Sequence, residues 1–144
     1  MVRYFDSSIL LAGILAQKKQ DLTASLWDPA ETRLSSLLTK IECVIGVRRA
    51  GALQNLGPDD PWCVERIRVL EEYLDELVCK RIDDDILDII RKSTFLSNCR
   101  SLDAIHIASA MYFRPHQDEP IQVVTLDGRM RETAGKAGFT VLPS

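Results

Sequence analysis

The chain lacks most of the features that mark a specialised sequence. Its four cysteines, Cys43, Cys63, Cys79 and Cys99, form no C-x-x-C pair and have no histidine at zinc-site spacing, which argues against a structural zinc centre. A disulfide framework is not expected either, because a domain of this size needs no staples and no signal-peptide pattern is present. The chain is also short of long hydrophobic runs. The first, Ile9 to Ala16, follows an acid and is too short to cross a bilayer, so a cytoplasmic protein with no membrane partner is expected. No glycine-rich phosphate loop occurs, which disfavours P-loop and dinucleotide-binding readings. Charge of one sign is scarce too: the formal net charge is -3, so any polyanionic partner must be met by a local basic rim and not by a global positive field.

What is present fits one globular domain covering residues 1–144. Hydrophobic residues make up 46% and charged residues 27% of the sequence, a balance typical of a folded, soluble chain. Val2–Phe5 reads as a short strand that stops at Asp6. A helix capped by Ser7 or Ser8 is expected next, carrying Ile9, Leu10, Gly13, Ile14 and Gln17 and closing at Lys18-Lys19. Residues 33–37 suggest a second strand. Thr39 and Glu42 have the spacing of a capping box, which would open a helix with Ile41, Val44, Ile45 and Leu53 inward and Arg48-Arg49 outward. Asp60-Pro61 signals another helix start, leading to an amphipathic helix through Ile67, Leu70, Leu74 and Leu77. Residues 77–82 read as a third strand, and Asp83-Asp84-Asp85 as the acidic start of the next helix.

The stretch around which the rest is organised is Ser101 to Tyr112, a helix of small and apolar residues that suits tight packing on a sheet. Ser101 is its expected N-cap. Asp103 and His106 stand one turn apart on one side of it, and His106 is read as a satisfied buried histidine. Ile121 to Leu126 is the clearest strand, ending at Asp127. A helix from Gly128 to Gly138 and a final strand over residues 139–142 complete an alternation that predicts a three-layer α/β/α sandwich with a mainly parallel central sheet.

That topology places Asp6, at the end of the first strand, and Asp127, at the end of the strong late strand, where open parallel sheets hold their ligands. Glu42 and Asp103 lie in early helical turns and approach the same edge. Each acid alone is an ordinary helix-start or strand-end residue. Together, carboxylates brought that close repel one another unless a cation sits among them, and an oxygen-only set suits Mg²⁺ or Mn²⁺. A metal-ion phosphodiesterase follows from the residues. A haloacid-dehalogenase-like phosphatase also starts with an Asp after its first strand, but needs a second Asp where Ser8 stands.

The order and spacing of Asp6-Ser7-Ser8, Thr39-Lys40-Ile41-Glu42, Ser101-Leu102-Asp103-Ala104-Ile105-His106-Ile107-Ala108 and Val124-Thr125-Leu126-Asp127 resemble those of PIN-domain ribonucleases. The resemblance is particularly to the VapC-like toxins of bacterial and archaeal toxin–antitoxin pairs, and it covers the whole chain. It implies an endoribonuclease in which acids matching Asp6, Glu42, Asp103 and Asp127 hold Mg²⁺ or Mn²⁺ and activate water against an RNA phosphodiester. Glu42 would bind the ion or orient the water, and Asp127 would act directly or through a water. Ser7 and Thr125 are placed to hydrogen-bond these carboxylates. Arg48, Arg49, Arg129 and Arg131 are candidates for a basic rim. The implied partners are RNA, a cognate antitoxin and a second copy of the chain, with the segment Leu53 to Leu77 as a candidate contact. The alternative is an inactive PIN-like RNA-binding or protein-interaction module, whose usual sign is a missing acid; none is missing here.

Overall fold

The computed structural model describes residues 1–144. Five strands, β1 (Val2–Phe5), β2 (Thr32–Ser36), β3 (Val78–Lys80), β4 (Ile121–Val124) and β5 (Thr140–Leu142), form one sheet in the order β3-β2-β1-β4-β5. Every pairing is parallel, with Tyr4 opposite Leu34 and Phe5 opposite Val124. Strand side chains alternate between faces, so a parallel sheet covered on both sides must bury consecutive residues. Tyr4 and Phe5 do this: Tyr4 joins a core containing Leu34, Ile107, Val123 and Met130, whereas Phe5 joins another with Ile9, Leu10, Val47, Leu70 and Val124. Burying large apolar side chains of this kind contributes about 1.5–3 kcal/mol each.

Seven helices supply the two outer layers. On the Phe5 side lie α1 (Ser7–Leu15), α2 (Gln20–Trp27), α3 (Leu37–Leu53) and α4 (Pro61–Asp75); on the Tyr4 side lie α5 (Asp84–Lys92), α6 (Ser101–Phe113) and α7 (Gly128–Lys136). The result is the expected α/β/α sandwich. The order winds outward from β1 through β2 to β3, then restarts on the other side of β1 with β4 and β5. The winding direction therefore reverses between β1 and β4, and a crevice opens at their carboxyl ends.

Several local expectations hold. Asp60 caps α4 with Pro61 in its first turn, Asp83 caps α5, and Gly138 follows α7 with φ +88, a left-handed conformation that favours glycine. All four cysteines are free thiols. No helix is long and apolar enough to cross a membrane.

Other expectations need correction. The first helix does not run to Lys18-Lys19. It ends at Leu15, and after a 3-10 turn α2 folds back against it. Gly13 makes this possible, since a Cβ there would stand 2.7 Å from Thr23 Oγ1, which donates to the Ile9 carbonyl at 3.0 Å. Asp6, and neither Ser7 nor Ser8, caps α1. The Thr39–Glu42 capping box does not form, because Ser36 starts α3 earlier by accepting from Leu38 N at 3.1 Å. Thr39 is instead buried with its hydroxyl unpartnered. The inward stripe of α3 is Thr39, Cys43, Val47 and Gly51, so Leu37, Ile41, Ile45 and Leu53 face solvent. Small inward residues let α3 approach α1 and α4 closely, and the aliphatic stripe is left outside. Arg100 stands at the N-cap of α6 without a side-chain bond, so Ser101 is not the cap.

Candidate active site

Asp6 occupies the crevice where β1 ends. As the N-cap of α1 it accepts from Ser8 N at 3.0 Å, and its Oδ1 also accepts from Ser8 Oγ at 2.6 Å. Oδ2 accepts from Thr125 Oγ1 at 2.5 Å, and Leu126 N in turn donates to Ser8 Oγ at 2.9 Å. These bonds join the ends of β1 and β4 and fix the carboxylate between them. Asp6 is only 4% exposed. Burial raises its pKa above the usual carboxylate range, against the lowering effect of the Ser8 and Thr125 hydroxyls.

Glu42 lies in the second turn of α3 and is held from both sides. Its Oε1 accepts from Ser7 Oγ at 3.2 Å and stands 2.6 Å from His106 Nε2, while His106 Nδ1 lies 2.8 Å from the Tyr4 hydroxyl. Tyr4 donating to Nδ1 and Nε2–H donating to Glu42 is the assignment that satisfies both ring nitrogens. Burial, foremost, holds the Tyr4 phenol well above its ordinary pKa, which keeps it a donor. His106 therefore orients a carboxylate at the sheet edge, a role its sequence position did not reveal. The available signal was its place three residues after Asp103 on the same helical face.

Asp103 is half-buried in the first turn of α6. Its pKa is raised, first by burial and then by the charge of Asp127, with a further contribution from Glu42; His106 and Arg100 pull the other way. Asp127 caps α7, its Oδ1 accepting from Arg129 N at 2.8 Å and Met130 N at 3.1 Å. The four acids thus stand at one end of the sheet on four different elements, and Asp103 lies within electrostatic reach of Asp127 and Glu42. As oriented, however, no group of three His, Cys, Asp or Glu side chains closes around a point that could hold a metal ion. Three of the four carboxylates have hydrogen-bond partners in the protein: Asp6 the Ser8 and Thr125 hydroxyls, Glu42 Ser7 and His106, and Asp127 two helix amides. The donor set is all oxygen at this edge, which in chemistry fits a hard divalent cation.

A cavity of about 280 Å³ opens beside Asp103, lined among others by Phe95, Asn98, Arg100, Arg129 and Lys136. Arg129 is therefore on the rim, as expected, and Arg131 reaches the Thr125 carbonyl at 3.3 Å. Arg48 is not on the rim. It lies farther along α3 and lines a separate groove with Pro58 and Val64. Arg100 and Lys136 were not anticipated, since neither adjoins an acid in a recognisable motif.

A family model described as PIN domain matches residues 3–136. The chain belongs to the PIN domain family. The match spans β1 to α7 and so includes all four acids, both hydroxyls on Asp6 and His106. PIN domains are generally nucleases, and the family supports hydrolysis of nucleic acid as the class of activity. No curated protein matches the chain.

Proposed function

We propose that this PIN domain is a metal-dependent endoribonuclease and the toxin of a type II toxin–antitoxin pair. The observation that carries the reading is that Asp6, Glu42, Asp103 and Asp127 lie toward the topological switch point, with the Asp103 carboxylate disfavoured first by burial and then by the charges of Asp127 and Glu42. These four would hold Mg²⁺ or Mn²⁺, the partner that relieves such repulsion. When bound, the ion would polarise a phosphodiester oxygen and lower the pKa of the attacking water.

The protein's own contribution is positioning. Ser8 and Thr125 lock both oxygens of Asp6, so that acid needs no reorganisation when substrate arrives. Ser7 and His106 grip one oxygen of Glu42 and leave the other free to orient the attacking water or to join the ion. Asp103 faces the adjoining cavity, where RNA enters. A cognate antitoxin or a second copy of the chain would cover the exposed Leu37, Ile41 and Ile45 stripe of α3, and not the Leu53 to Leu77 segment as a whole.

A second reading, an inactive RNA-binding or protein-interaction module, draws on the lack of a closed three-ligand group. Cleavage of labelled single-stranded RNA separates the two. The endoribonuclease cuts with Mg²⁺ or Mn²⁺ and not in chelator, and Asp6→Asn or Asp103→Asn abolishes cutting while circular dichroism stays native. Undiminished cleavage by Asp103→Asn in excess chelator refutes the metal-dependent reading.

A further inference from the structure

We propose that the cavity beside Asp103 is a single-nucleotide subsite for single-stranded RNA, in which Arg100 and Arg129 take the phosphate and Phe95 stacks on the base. The inference rests on the ribonuclease reading and says where its substrate is gripped. Arg100 and Arg129 both line this cavity, and neither guanidinium has a carboxylate within ion-pair distance or a hydrogen bond to the protein. Arg33 is committed to Glu76, Arg68 to Glu65 and Glu72, and Arg114 to the Ala137 carbonyl; Arg48, Arg49 and Arg81 are also free, but Arg100 and Arg129 are the two that share this cavity. Two unpaired guanidiniums facing one concavity form a ready bidentate site for phosphate oxygens.

Of the rest of the wall, Glu132 is paired with Lys136 at 3.3 Å, and Phe95 and Asn98 suit a base. Phe95 is half-buried, its far side packed on the hydrophobic core, and so offers one ring face of a fixed platform. Asn98 carries an amide with no partner in the protein, a donor and an acceptor free to pair with a base edge. A volume of about 280 Å³ lies at the lower end of ligand pockets, which start at roughly 300 Å³. It accommodates one unstacked nucleotide and excludes a duplex, whose bases stay paired and stacked. Asp103 forms part of the same wall, so the seated nucleotide adjoins the acidic edge.

The test is binding of a short fluorescein-labelled single-stranded RNA, followed by anisotropy in chelator so that nothing is cut, together with KM and kcat in Mg²⁺. Phe95→Leu should weaken binding about tenfold by loss of a stacked base. The pair Arg100→Gln and Arg129→Gln should lower the slope of log K against log salt by about 0.7, the value for one single-strand phosphate contact. Both variants should raise KM more than they lower kcat, and duplex RNA of the same sequence should bind much more weakly. Both arginines are exposed, so that variant folds even if Phe95→Leu does not. Native binding and an unchanged salt slope in the arginine pair, with native protein still cutting RNA, overturn the subsite and leave the ribonuclease reading intact. Native protein that neither binds nor cuts RNA overturns both.

Discussion

The bridge from Tyr4 through His106 to Glu42 gives a stability change that can be worked out in advance. His106→Leu keeps a side chain of similar bulk but removes both polar contacts. The Tyr4 hydroxyl is fully buried and loses its acceptor, and an unsatisfied buried group of this kind costs about 1–3 kcal/mol. The bond to Glu42 involves a carboxylate, for which about 1.5–3 kcal/mol is usual. Glu42 is 28% exposed whereas His106 is 5% exposed, so water recovers part of that loss on the Glu42 side, and about 1–2 kcal/mol remains. His106→Leu should therefore destabilise by about 2–5 kcal/mol. That is a large fraction of the roughly 5–15 kcal/mol by which domains are stable.

The assay is urea unfolding of native protein, His106→Leu, Glu42→Gln and the double variant, with the midpoint and slope compared. If His106 holds Glu42, the cycle should give a coupling energy of about 1–2 kcal/mol, and Glu42→Gln alone should cost less than His106→Leu because Tyr4 keeps its partner. Independent sites add within about 0.3–0.5 kcal/mol. A coupling inside that band refutes the claim that His106 positions Glu42, even if His106→Leu is destabilising on its own.

Two more outcomes follow from the site and from α3. The pKa of Asp103 is raised from 3.8, first by burial and then by Asp127, so the folded state holds that proton more tightly than the unfolded chain; its stabilisation is complete below 3.8 and is lost as pH rises through the raised folded value. In chelator at neutral pH, Asp103→Asn should thus melt higher than native protein, whereas saturating Mn²⁺ should stabilise native protein by about 2.7 kcal/mol at a hundredfold excess over Kd and the variant by less; a variant that melts lower in chelator, with no Mn²⁺ shift in either protein, counts against a shared site. In α3, Ser36→Ala should cost about 1 kcal/mol as a lost cap, while Thr39→Val, which replaces a buried hydroxyl without a partner, should be neutral or stabilising in the same urea assay; the reverse order would restore Thr39 as the cap.

The fold was legible because its strands, buried on both faces, read as short runs rich in apolar β-formers, Val2–Phe5 and Ile121–Val124 above all, each broken by one polar residue, Arg3 and Gln122. What failed was phase and punctuation. Ile41, Ile45 and Leu53 look like the core face of α3, but the helix buries Leu38, Thr39, Cys43, Val47 and Gly51, mostly small side chains that allow close approach to its neighbours. Periodicity records where apolar residues recur and is silent about which of two stripes the packing selects. The helix α2 escaped notice since Gln20, Asp21 and Ser25 leave it little apolar periodicity. Caps were misplaced by one to three residues for a related reason: Asp6, Ser7 and Ser8 are all good capping types, and only backbone geometry decides among them.

At the site, the expected topology already reads the four acids as one group at a sheet edge, although each alone has an ordinary helix-start or strand-end explanation; the partners that hold them are what the sequence does not display. Asp83 and Asp127 cap their helices from exposed positions, accepting from helix amides. Asp6 caps α1 as well, yet it is almost completely buried, and its second oxygen is taken by Thr125 from a strand 119 positions away. Neither feature helps a cap. Burial raises the carboxyl's pKa and so opposes the charged form that caps best. Two hydroxyls, from Ser8 and Thr125, are needed to offset that penalty. A carboxyl kept in so unfavourable a place, where the winding of the sheet reverses, is what the proposed metal-holding role of Asp6 calls for and what capping α1 alone does not.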